Sequence, residues 1–537
     1  MRNWNGWGDD ALHMDVPPPA AALLKKRIGK GTRPRGGASL QQLLARIPSS
    51  RLGDHSLVNQ APFERLSHAH GQSMPDWIGL RWGTLNRFPD GVAYPTSGDE
   101  LQEVLEFARN GRAMIIPYGG GTSVVGHLSV PDTDQPVLSL SLERLNRLVH
   151  LDAYSRLATL EAGVTGPDLE AQLRAHGMTL GHYPQSFQYS TLGGWVATRS
   201  SGQQSSHYGR IEELFAGGEI HTPRGVWVCP PFPASAAGPD LRHLILGSEG
   251  RLGIVHRAVV RVSLLPERDE VYGLFFPSWR NAVRAVRAVA GAGIPYAMVR
   301  LSNTEETLTQ LLLAGKEKAI HMLERYLRLR KIEIPPGVMG LMGFIGSRAQ
   351  VRTARREALS MFRRYQGVSV GRPMGAAWQK NRFKAPYLRN TLWNLGYAVD
   401  TVETAVPWAR VTRTMTAVEA AVRNSLRPFN EKVHVFSHLS HVYATGSSVY
   451  TTFLFRLGEG PQETLARWEA IKTAASRAIV QAGGTISHQH GVGTDHRDYL
   501  SAEKGRVGMD LLRQVITHMD PEVRLNPGKL IGGEGEP

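Results

Sequence analysis

The sequence predicts an α+β protein with two major domains that divide near residue 267. Three observations support this prediction. The chain has 537 residues, which is long for a single core and suits two or three domains. Short alternating strands and glycine-dense loops fill the part from Arg87 to residue 267, and longer amphipathic helices prevail beyond it.

The composition limits the class of protein. Hydrophobic residues make up 42% of the chain, which is enough for real cores. A single cysteine, Cys229, excludes disulfides within the chain and zinc sites built from several cysteines. No apolar run approaches the roughly 18 residues of a membrane span, and the first residues lack the apolar region of a signal peptide. We therefore expect a soluble, cytoplasmic protein.

The charge is strongly basic, at +15, with 62 Lys and Arg against 47 Asp and Glu. Such a balance suits nucleic acid, an anionic membrane or a phosphorylated substrate. The arginines are spread along the chain and form no long basic tail. We expect a phosphorylated or lipid-like small molecule and no nucleic acid. A basic nucleic-acid-binding protein is the non-enzymatic alternative.

The first 86 residues are punctuated by proline and glycine and carry short helical patches such as SLQQLLARI. They predict a helical N-terminal extension that packs on a larger body. From Arg87 onward, FPDGVAYPTSGDELQEVLEFARNGRAMIIPYGGGTSVVG predicts a strand, a turn, an amphipathic helix, a strand and a glycine loop. Ser97 or Asp99 can cap the helix.

The glycine loop, Pro117 to Gly126, reads PYGGGTSVVG. It lacks the Gly-Lys-Ser/Thr ending of a Walker loop and opens no long helix. Three consecutive glycines allow backbone N–H groups to converge on an anion such as a pyrophosphate. A tight turn between strands explains this loop equally well when it is taken alone.

Two later segments resemble the first in composition: GHYPQSFQYSTLGGWVATRSSG (181–202) and GSEGRLG (247–253). Three glycine-rich loops, spaced by about one α+β unit each, predict a large dinucleotide-like ligand that lies along all of them. Beyond residue 267, the sequence predicts helices at 280–293, 407–426 and 461–484, and one long basic amphipathic stretch at 305–336.

The order of PYGGGTS, PQSFQYSTLGGWVATRSSGQQSSHYGRIEEL, TPRG, GSEGRLGIV and RLNPGKL resembles the vanillyl-alcohol oxidase/p-cresol methylhydroxylase superfamily, and within it the alkyldihydroxyacetonephosphate synthase branch. The resemblance runs from about Arg87 to the C-terminus. It implies a two-subdomain FAD-binding domain of the p-cresol methylhydroxylase type and an α+β cap domain. We predict an N-terminal helical extension (1–86), the FAD-binding domain (87–267), the cap (268–505) and a C-terminal segment (506–537) that returns to the FAD domain.

The resemblance implies that the FAD pyrophosphate lies on the first glycine loop. The cofactor contacts that it implies are Pro117, Gly119, Gly120, Gly121, Thr122, Ser123, Pro184, Ser186, Ser190, Thr191, Ala197, Thr198, Arg199, Ser200, Gly247, Glu249, Gly250 and Gly253. Some members attach FAD through a His or Cys near this loop. The loop here contains neither, so we predict non-covalent FAD. His127, just past the loop, is the one residue here that could attach FAD covalently.

The superfamily also contains D-2-hydroxyacid dehydrogenases, which hold a divalent metal through the motifs H-x-G-D-G-N-x-H and S-x-E-H-G. In this chain, YATGSSVY places Tyr443 and Tyr450 at the two histidine positions, and SHQHG places Gln489 at the glutamate. Phenols and amides are poor ligands for divalent metals. We therefore expect no metal there. The alternative is a different metal site drawn from five histidines, namely His438, His441, His488, His490 and His496.

The resemblance implies roles for several cap residues. Tyr450 would act as acid/base, Arg389 and Arg300 would bind a substrate phosphate, and Tyr443 and Gln489 would contact the substrate. The branch normally shows three consecutive histidines where this chain has His488, Gln489 and His490. Glutamine cannot take up a proton. Either His488 or His490 transfers it, or the reaction differs.

The implied reaction exchanges the acyl group of an acyl-dihydroxyacetone phosphate for a long-chain alkyl ether, without net redox, through a flavin N5 adduct. The alternative is a metal-independent FAD-dependent oxidase or dehydrogenase of an alcohol or a 2-hydroxyacid. The basic stretch from Lys316 to Lys331 suits either the surface of an anionic membrane or an ordinary solvated helix. We further expect a homodimer that contacts the inner face of the membrane peripherally.

Overall fold

The computed structural model describes residues 2–34 and 36–532. These residues form an α+β fold, as the sequence predicts, with small sheets of four and five strands, a two-stranded pair, a large antiparallel sheet of seven strands, and helices. Residues 1, 35 and 533–537 lie outside the described part, so the end of the predicted C-terminal segment 506–537 is not described.

The N-terminal extension is helical, as predicted. Its helices are α1 (Pro18–Ile28), α2 (Leu40–Leu44), α3 (Pro62–Ser67) and α4 (Met74–Trp82). A capping box formed by Ser39 and Gln42 begins α2. Leu24 and Ile28 of α1 pack against Phe436, which lies in the large sheet. The extension is therefore part of the wall of the globular body.

The first small sheet contains β1 (Val58–Asn59), β2 (Gly91–Ala93), β3 (Met114–Tyr118) and β4 (Val137–Ser141), in the order β1-β2-β4-β3. Helix α5 (Gly98–Asn110) connects β2 to β3, and Ser97 caps it by accepting a hydrogen bond from the N–H of Glu100 at 3.2 Å. β2, β4 and β3 are parallel. The glycine loop therefore leaves the sheet at the carboxyl end of β3.

The second small sheet is antiparallel and contains β5 (Leu148–Asp152), β6 (Leu157–Glu161), β8 (Phe215–Thr222), β9 (Gly225–Cys229) and β10 (Ile254–Arg261), in the order β5-β6-β10-β8-β9. The connections carry α6 (Gly166–Arg174), α7 (Leu192–Thr198), α8 (Ser205–Tyr208), α9 (Ile211–Leu214) and α10 (Arg242–Ile245). A two-stranded pair joins β7 (Met178–Thr179) to β11 (Ser263–Leu264). The pairing of β8 with β10 skips His256, which lies in a β-bulge.

The cap is built on a seven-stranded sheet in the order β15-β12-β14-β13-β17-β18-β16. Its strands are β12 (Arg268–Phe276), β13 (Met298–Ser302), β14 (Val338–Gly346), β15 (Val368–Gly371), β16 (Tyr397–Pro407), β17 (His434–Leu439) and β18 (Gly446–Arg456). Its longer helices include α11 (Trp279–Gly291), α14 (Arg348–Arg364), α17 (Val411–Asn424) and α18 (Pro461–Gln481). The shorter α15 (Arg372–Asn381) packs on β12, and α16 (Leu388–Asn394) contacts the N-terminal extension through Arg389 and Asn390. Three 3-10 turns lie at Ala385–Tyr387, Arg427–Phe429 and Arg497–Tyr499.

The stretch 305–336, predicted as one amphipathic segment, is two helices. These are α12 (Thr304–Leu313) and α13 (Glu317–Leu329), and Gly315 divides them with a φ of 64°. Glycine adopts this left-handed conformation without strain, which ends a helix efficiently. Leu327 is buried beside Phe275, whereas Leu329 is 83% exposed. Only part of the apolar stripe of α13 therefore faces solvent.

Residues 524–526, near the end of the described part, lie beside the first small sheet. After α19 (Ser501–Met519), Leu525 forms a parallel bridge with Ile115 of β3. The N–H of Ile115 donates to the carbonyl of Arg524 at 2.8 Å, and the N–H of Asn526 donates to the carbonyl of Ile115 at 2.8 Å. Across the described residues, every helix falls short of the length or the apolar character that a bilayer crossing requires.

Candidate active site

One cavity of about 510 Å³ lies where the two small sheets meet the cap. The loops that follow β3, flank α7 and precede β10 form one wall. Strands β16, β17 and β18 form another, and helix α1 contributes a third. A volume of this size is typical of small-molecule sites, which occupy about 300–1,000 Å³.

The three glycine-rich loops touch one another. A Cβ added to Gly119 would lie 2.4 Å from Oγ1 of Thr191, and one added to Gly120 would lie 1.7 Å from the carbonyl oxygen of Tyr189. A Cβ at Gly250 would lie 2.7 Å from Pro117. The first loop can therefore pack on the other two only because these positions lack side chains.

Most of the predicted cofactor contacts share the cavity wall. Those that line it are Pro117, Gly119, Gly120, Gly121, Thr122, Ser123, Pro184, Ser186, Ser190, Thr191, Ala197, Thr198, Ser200, Glu249, Gly250 and Gly253. Arg199 and Gly247 stand behind it, since Arg199 ends α7 with a φ of 52° and Gly247 packs on its side chain. The carboxylate of Glu249 accepts the N–H groups of Val492 and Gly493 at 2.5 and 2.9 Å, so it fixes the loop 485–496 to the third glycine-rich loop, 247–253.

Arg389 lines the cavity without a direct ion-pair partner among the described residues, while the carboxylates of Asp400 and Asp76 act on its charge from a distance. Its Nη1 donates to the carbonyl of Gln72 at 2.7 Å, and its guanidinium lies 4.3 Å from the ring centre of Trp77. Nη2 is buried and has no hydrogen-bond partner among the described residues, and no described carboxylate forms an ion pair with it. Burial lowers its pKa, but arginine stays charged at neutral pH. The site is therefore ready to accept an anion.

Arg300, the second predicted phosphate ligand, is already paired. Its Nη2 lies 2.5 Å from Oε1 of Glu306, whose Oε2 lies 3.0 Å from Nδ1 of His438. Burial pushes the pKa of Glu306 up, but His438 and Arg300 more than offset this and hold that pKa at about 2. Arg300 lines the cavity, yet the protein itself neutralises its charge.

Tyr450 lies between two imidazoles in the cavity wall. Its ring stacks on His438 at 4.9 Å and meets His490 edge-on at 5.7 Å, and its hydroxyl donates to Thr401 at 3.3 Å. Burial, and then the neighbouring Glu403, raise the pKa of Tyr450 above its usual value. The phenol is therefore neutral near neutral pH and holds a proton that it can donate.

Glu403 on β16 anchors the loop that carries the histidines. Its Oε1 accepts the N–H groups of Gln489 and His490 at 2.7 and 2.8 Å, and it lies 3.4 Å from Nδ1 of His490. Gln489 and His490 both line the cavity, and Oε1 of Gln489 is buried without a partner among the described residues. This carboxylate sets where His490 stands relative to Tyr450.

His488 and Tyr443 do not belong to the cavity wall. Nε2 of His488 lies 2.8 Å from Nη1 of Arg210 and 2.7 Å from the hydroxyl of Tyr443. Because arginine only donates, Nε2 is the acceptor and its lone pair is engaged. Burial, His441 and Arg210 hold the pKa of His488 well below its usual value. Of the two histidines predicted to transfer a proton, the structure brings His490 to the cavity.

The five histidines of the alternative metal site make separate contacts. His438 and His490 flank Tyr450, the rings of His441 and His488 lie 4.9 Å apart, and Nδ1 of His496 lies 3.2 Å from the carbonyl of Gly491. No three of them gather around one point among the described residues.

Comparison with known proteins agrees with this geometry. Residues 89–229 match the family model described as "FAD binding domain", and residues 265–530 match "FAD linked oxidases, C-terminal domain". The alkyldihydroxyacetonephosphate synthase of Dictyostelium discoideum is 32% identical over 87% of this chain and 77% of its own length. The chain belongs to the alkyldihydroxyacetonephosphate synthase family.

Solved structures extend the comparison beyond sequence. A solved alkyldihydroxyacetonephosphate synthase superposes on this member of the family with a TM-score of 0.83 and 26% identity, over 98% of each chain. A p-cresol methylhydroxylase with substrate bound has a TM-score of 0.67 and 13% identity, over 93% of this chain and 99% of its own. The latter likeness shows the fold of the superfamily that the sequence resembles.

FAD is the cofactor of this family of flavoenzymes, and the residues of this chain fit it. A Cβ on Gly119, Gly120 or Gly121 would clash with Thr191, Tyr189 or Tyr118, so only glycine lets this backbone close against its neighbours as a cradle in the cavity wall. His127, the one residue that argued for covalent attachment, contacts Oγ of Ser123 at 2.7 Å through Nδ1 and Oε1 of Glu249 at 3.0 Å through Nε2. Both of its ring nitrogens thus face protein groups.

Three parts of this site were not predicted from the sequence. Arg210 lies inside the matched motif PQSFQYSTLGGWVATRSSGQQSSHYGRIEEL, so that motif held a usable signal. Glu403 lies in an ordinary strand pattern, and no sequence signal marks it as part of the site. Trp7, Val16 and Leu23 of the extension also line the cavity, but nothing in their local sequence indicates where the extension packs.

Proposed function

We propose that this protein exchanges the acyl group of an acyl-dihydroxyacetone phosphate for a long-chain alkyl ether. One observation carries the proposal. A single cavity joins a glycine cradle for FAD, an unpaired buried arginine and an apolar passage. A substrate with an anionic head and a long chain matches both ends of this cavity.

Arg389 is the proposed ligand of the substrate phosphate. Nη1 of Arg389 donates a hydrogen bond to the carbonyl of Gln72, and Nη2 remains to donate to an oxygen of the phosphate. Charge-assisted hydrogen bonds to a phosphate are about twice as strong as neutral ones. Arg300 also lines the cavity, but its pairing with Glu306 makes it the weaker candidate, and its phosphate role stays a prediction.

The apolar passage is the proposed site of the acyl and alkyl chains. Residues of the extension and the cap line it together: Val16, Ala20, Leu23, Leu24, Leu313, Leu388, Leu392, Val399, Phe436 and Leu454. Each buried methylene contributes about 0.8 kcal/mol, so long chains gain most of their affinity here.

Proton transfer falls to the groups around Tyr450. Bound FAD supplies the covalent carrier chemistry of the exchange. His490, held by Glu403, is the proposed base for the proton next to the ketone, and Tyr450 is the proposed acid. Gln489 contributes hydrogen bonds but no proton. Tyr443 and His488 support the loop from behind through Arg210.

We also propose that FAD binds non-covalently, since both ring nitrogens of His127 contact Ser123 and Glu249.

The protein is proposed to work in the cytoplasm at the inner face of a membrane. Support comes from α13, where Met322 and Leu329 are 72% and 83% exposed beside a run of arginines. A homodimer stays a prediction, which native mass measurement tests.

The test is incubation of the purified flavoprotein with palmitoyl-dihydroxyacetone phosphate and hexadecanol. The expected result is hexadecyl-dihydroxyacetone phosphate and palmitate in equal amounts, with the flavin back in its oxidised form when the reaction is complete. Bleaching of the flavin by D-lactate or another 2-hydroxyacid, with no ether formed, would instead favour the oxidase or dehydrogenase alternative.

A further inference from the structure

We propose that Glu219, His221 and His256 form a binding site for one divalent transition-metal ion, such as Zn²⁺, apart from the flavin cavity. Glu219 and His221 lie on β8 and His256 lies on the neighbouring strand β10. None of the three lines the cavity described above. The inference does not depend on the proposed reaction.

The three donor atoms already stand close to a coordination geometry. Oε1 of Glu219 lies 3.1 Å from Nε2 of His221 and 2.8 Å from Nδ1 of His256, and all three donors lie within 4.8 Å of one another. Ligand bonds of about 2.1 Å in a tetrahedral zinc site separate neighbouring donors by about 3.4 Å. A metal ion would therefore need only a small outward movement of the side chains.

The backbone brings these side chains together in a specific way. Glu219 and His221 are two residues apart on β8 and share one face of the sheet. The β-bulge at His256 turns its ring toward that face, and bulges often re-aim a functional side chain in this manner. A Cβ on Gly98, at the start of α5, would lie 2.9 Å from Cε1 of His256, so glycine there leaves room beside the rings.

The chemistry of the donors suits zinc or a related ion. Two imidazoles and one carboxylate are a common ligand set of zinc sites that keep an open fourth position. Oε2 of Glu219 faces Arg257 at 3.8 Å, which leaves Oε1 for the metal. The His221 and His256 side chains are 4% and 1% exposed, and that of Glu219 is 29% exposed, so an ion would enter past the carboxylate.

In the present contacts Glu219 alone holds both imidazoles, through Nε2 of His221 and Nδ1 of His256. The other ring nitrogens, Nδ1 of His221 and Nε2 of His256, are buried and have no hydrogen-bond partner among the described residues. When the ion binds, the proton of each imidazole shifts to this other nitrogen, and the ion bonds to all three residues. It would clamp β8 to β10 next to the start of α5, and its effect would be on stability.

Metal analysis of the purified holoenzyme, followed by titration of the chelator-treated protein with Zn²⁺ and Co²⁺, tests this site. The expected result is one equivalent of zinc per chain, with a rise in Tm on its addition. Co²⁺ should give ligand-field bands at wavelengths longer than the flavin absorbance. His221→Gln, His256→Gln and Glu219→Gln should each weaken binding at least about tenfold.

His150→Gln is the matched control, because His150 is an exposed histidine on β5 of the same sheet. It should bind zinc as the unchanged protein does. Flavin content shows whether each variant has folded. Absence of zinc from the unchanged protein after titration would overturn the proposal. Equal binding by the His221→Gln/His256→Gln double variant would also overturn it, since the ion would then be adventitious.

Discussion

Single side chains decide whether the cavity suits an anion. Arg389 and Arg300 are both arginines of the cap and both line the cavity, yet their surroundings differ. Glu306 neutralises Arg300, whereas Arg389 has a hydrogen bond to a carbonyl and an aromatic ring beneath it. The sequence resemblance named both residues, but it could not reveal Glu306, because that pairing depends on how α12 packs against β13.

Replacement of Arg389 tests the phosphate site. We expect kcat/KM for the acyl substrate to fall about 10- to 100-fold in Arg389→Met, because one charge-assisted hydrogen bond of about 1.5–3 kcal/mol is lost. The kcat/KM of Arg389→Lys should lie between those of the unchanged protein and Arg389→Met. Arg81→Lys is the matched control, since Arg81 also lies over Trp77, at 5.2 Å, but does not line the cavity. Equal losses in both arginine positions would contradict the assignment.

Asp495 gives the loop 485–496 a pH-dependent stability. Its side chain is 3% exposed, 3.8 Å from Nζ of Lys472, and burial raises its pKa from 3.8 to about 6. The folded state therefore binds this proton more tightly than the unfolded state, whose pKa is about 3.9. Stability is lost as the pH rises from about 4 to about 6, and the full penalty of about 3 kcal/mol applies above that range.

Asp495→Asn removes this penalty. We expect the Tm of the variant, relative to the unchanged protein, to rise between about pH 4 and pH 6 and then to level off, because only the unchanged protein has a buried carboxylate that must ionise. Thermal unfolding across this pH range measures the difference. A difference that does not vary with pH would show that Asp495 keeps an ordinary pKa.

At the scale of elements, the three glycine-rich loops were the most predictable part of the site. Their order and composition predicted a dinucleotide ligand, and the structure packs them against one another around one cavity. The helix at 461–484 was also predicted closely, since α18 covers Pro461–Gln481. The stretch 305–336 was predicted wrongly as one element, because one left-handed glycine outweighs a continuous apolar stripe.

Gly120→Ala tests the cradle directly. A Cβ at this position would lie 1.7 Å from the carbonyl of Tyr189, so the first and second loops must separate. We expect the purified variant to carry little or no FAD, as measured by flavin absorbance per chain. Gly291→Ala is the control, because nothing lies within 4 Å of its added Cβ. Full flavin content in Gly120→Ala would contradict the assigned cradle.

Helix α13 carries the membrane proposal. Leu329 is 83% exposed beside Arg325 and Arg328, and burial of one leucine in a lipid interface contributes about 1.5–3 kcal/mol. We expect Leu329→Glu to weaken co-sedimentation with anionic phospholipid vesicles several-fold. Val507→Glu on α19, where Val507 is 77% exposed, should have no such effect. Equal weakening by both would point to charge alone.

At the scale of the whole molecule, the cavity needs three separate regions of chain. The FAD domain and the cap could be predicted from the glycine-rich motifs and from the change from short strands to longer helices near residue 267. The contribution of the extension could not, because Val16, Ala20 and Leu23 line the passage through long-range packing that local patterns do not encode. The same limit applies to His488, which Arg210 and Tyr443 hold behind the wall. The fold and the cofactor can therefore be predicted from the sequence, but which polar residues line the cavity and which stand behind it cannot.

The most direct test of the account follows the oxygen of the alcohol. The protein is incubated without oxygen, with palmitoyl-dihydroxyacetone phosphate and hexadecanol labelled with the heavy oxygen isotope, and the products are analysed by mass spectrometry. We expect labelled hexadecyl ether, unlabelled palmitate and no reduced flavin at the end of the reaction. Tyr450→Phe should form the ether about 100-fold or more slowly. Reduced flavin without ether, or ether that lacks the label, would contradict the proposed exchange.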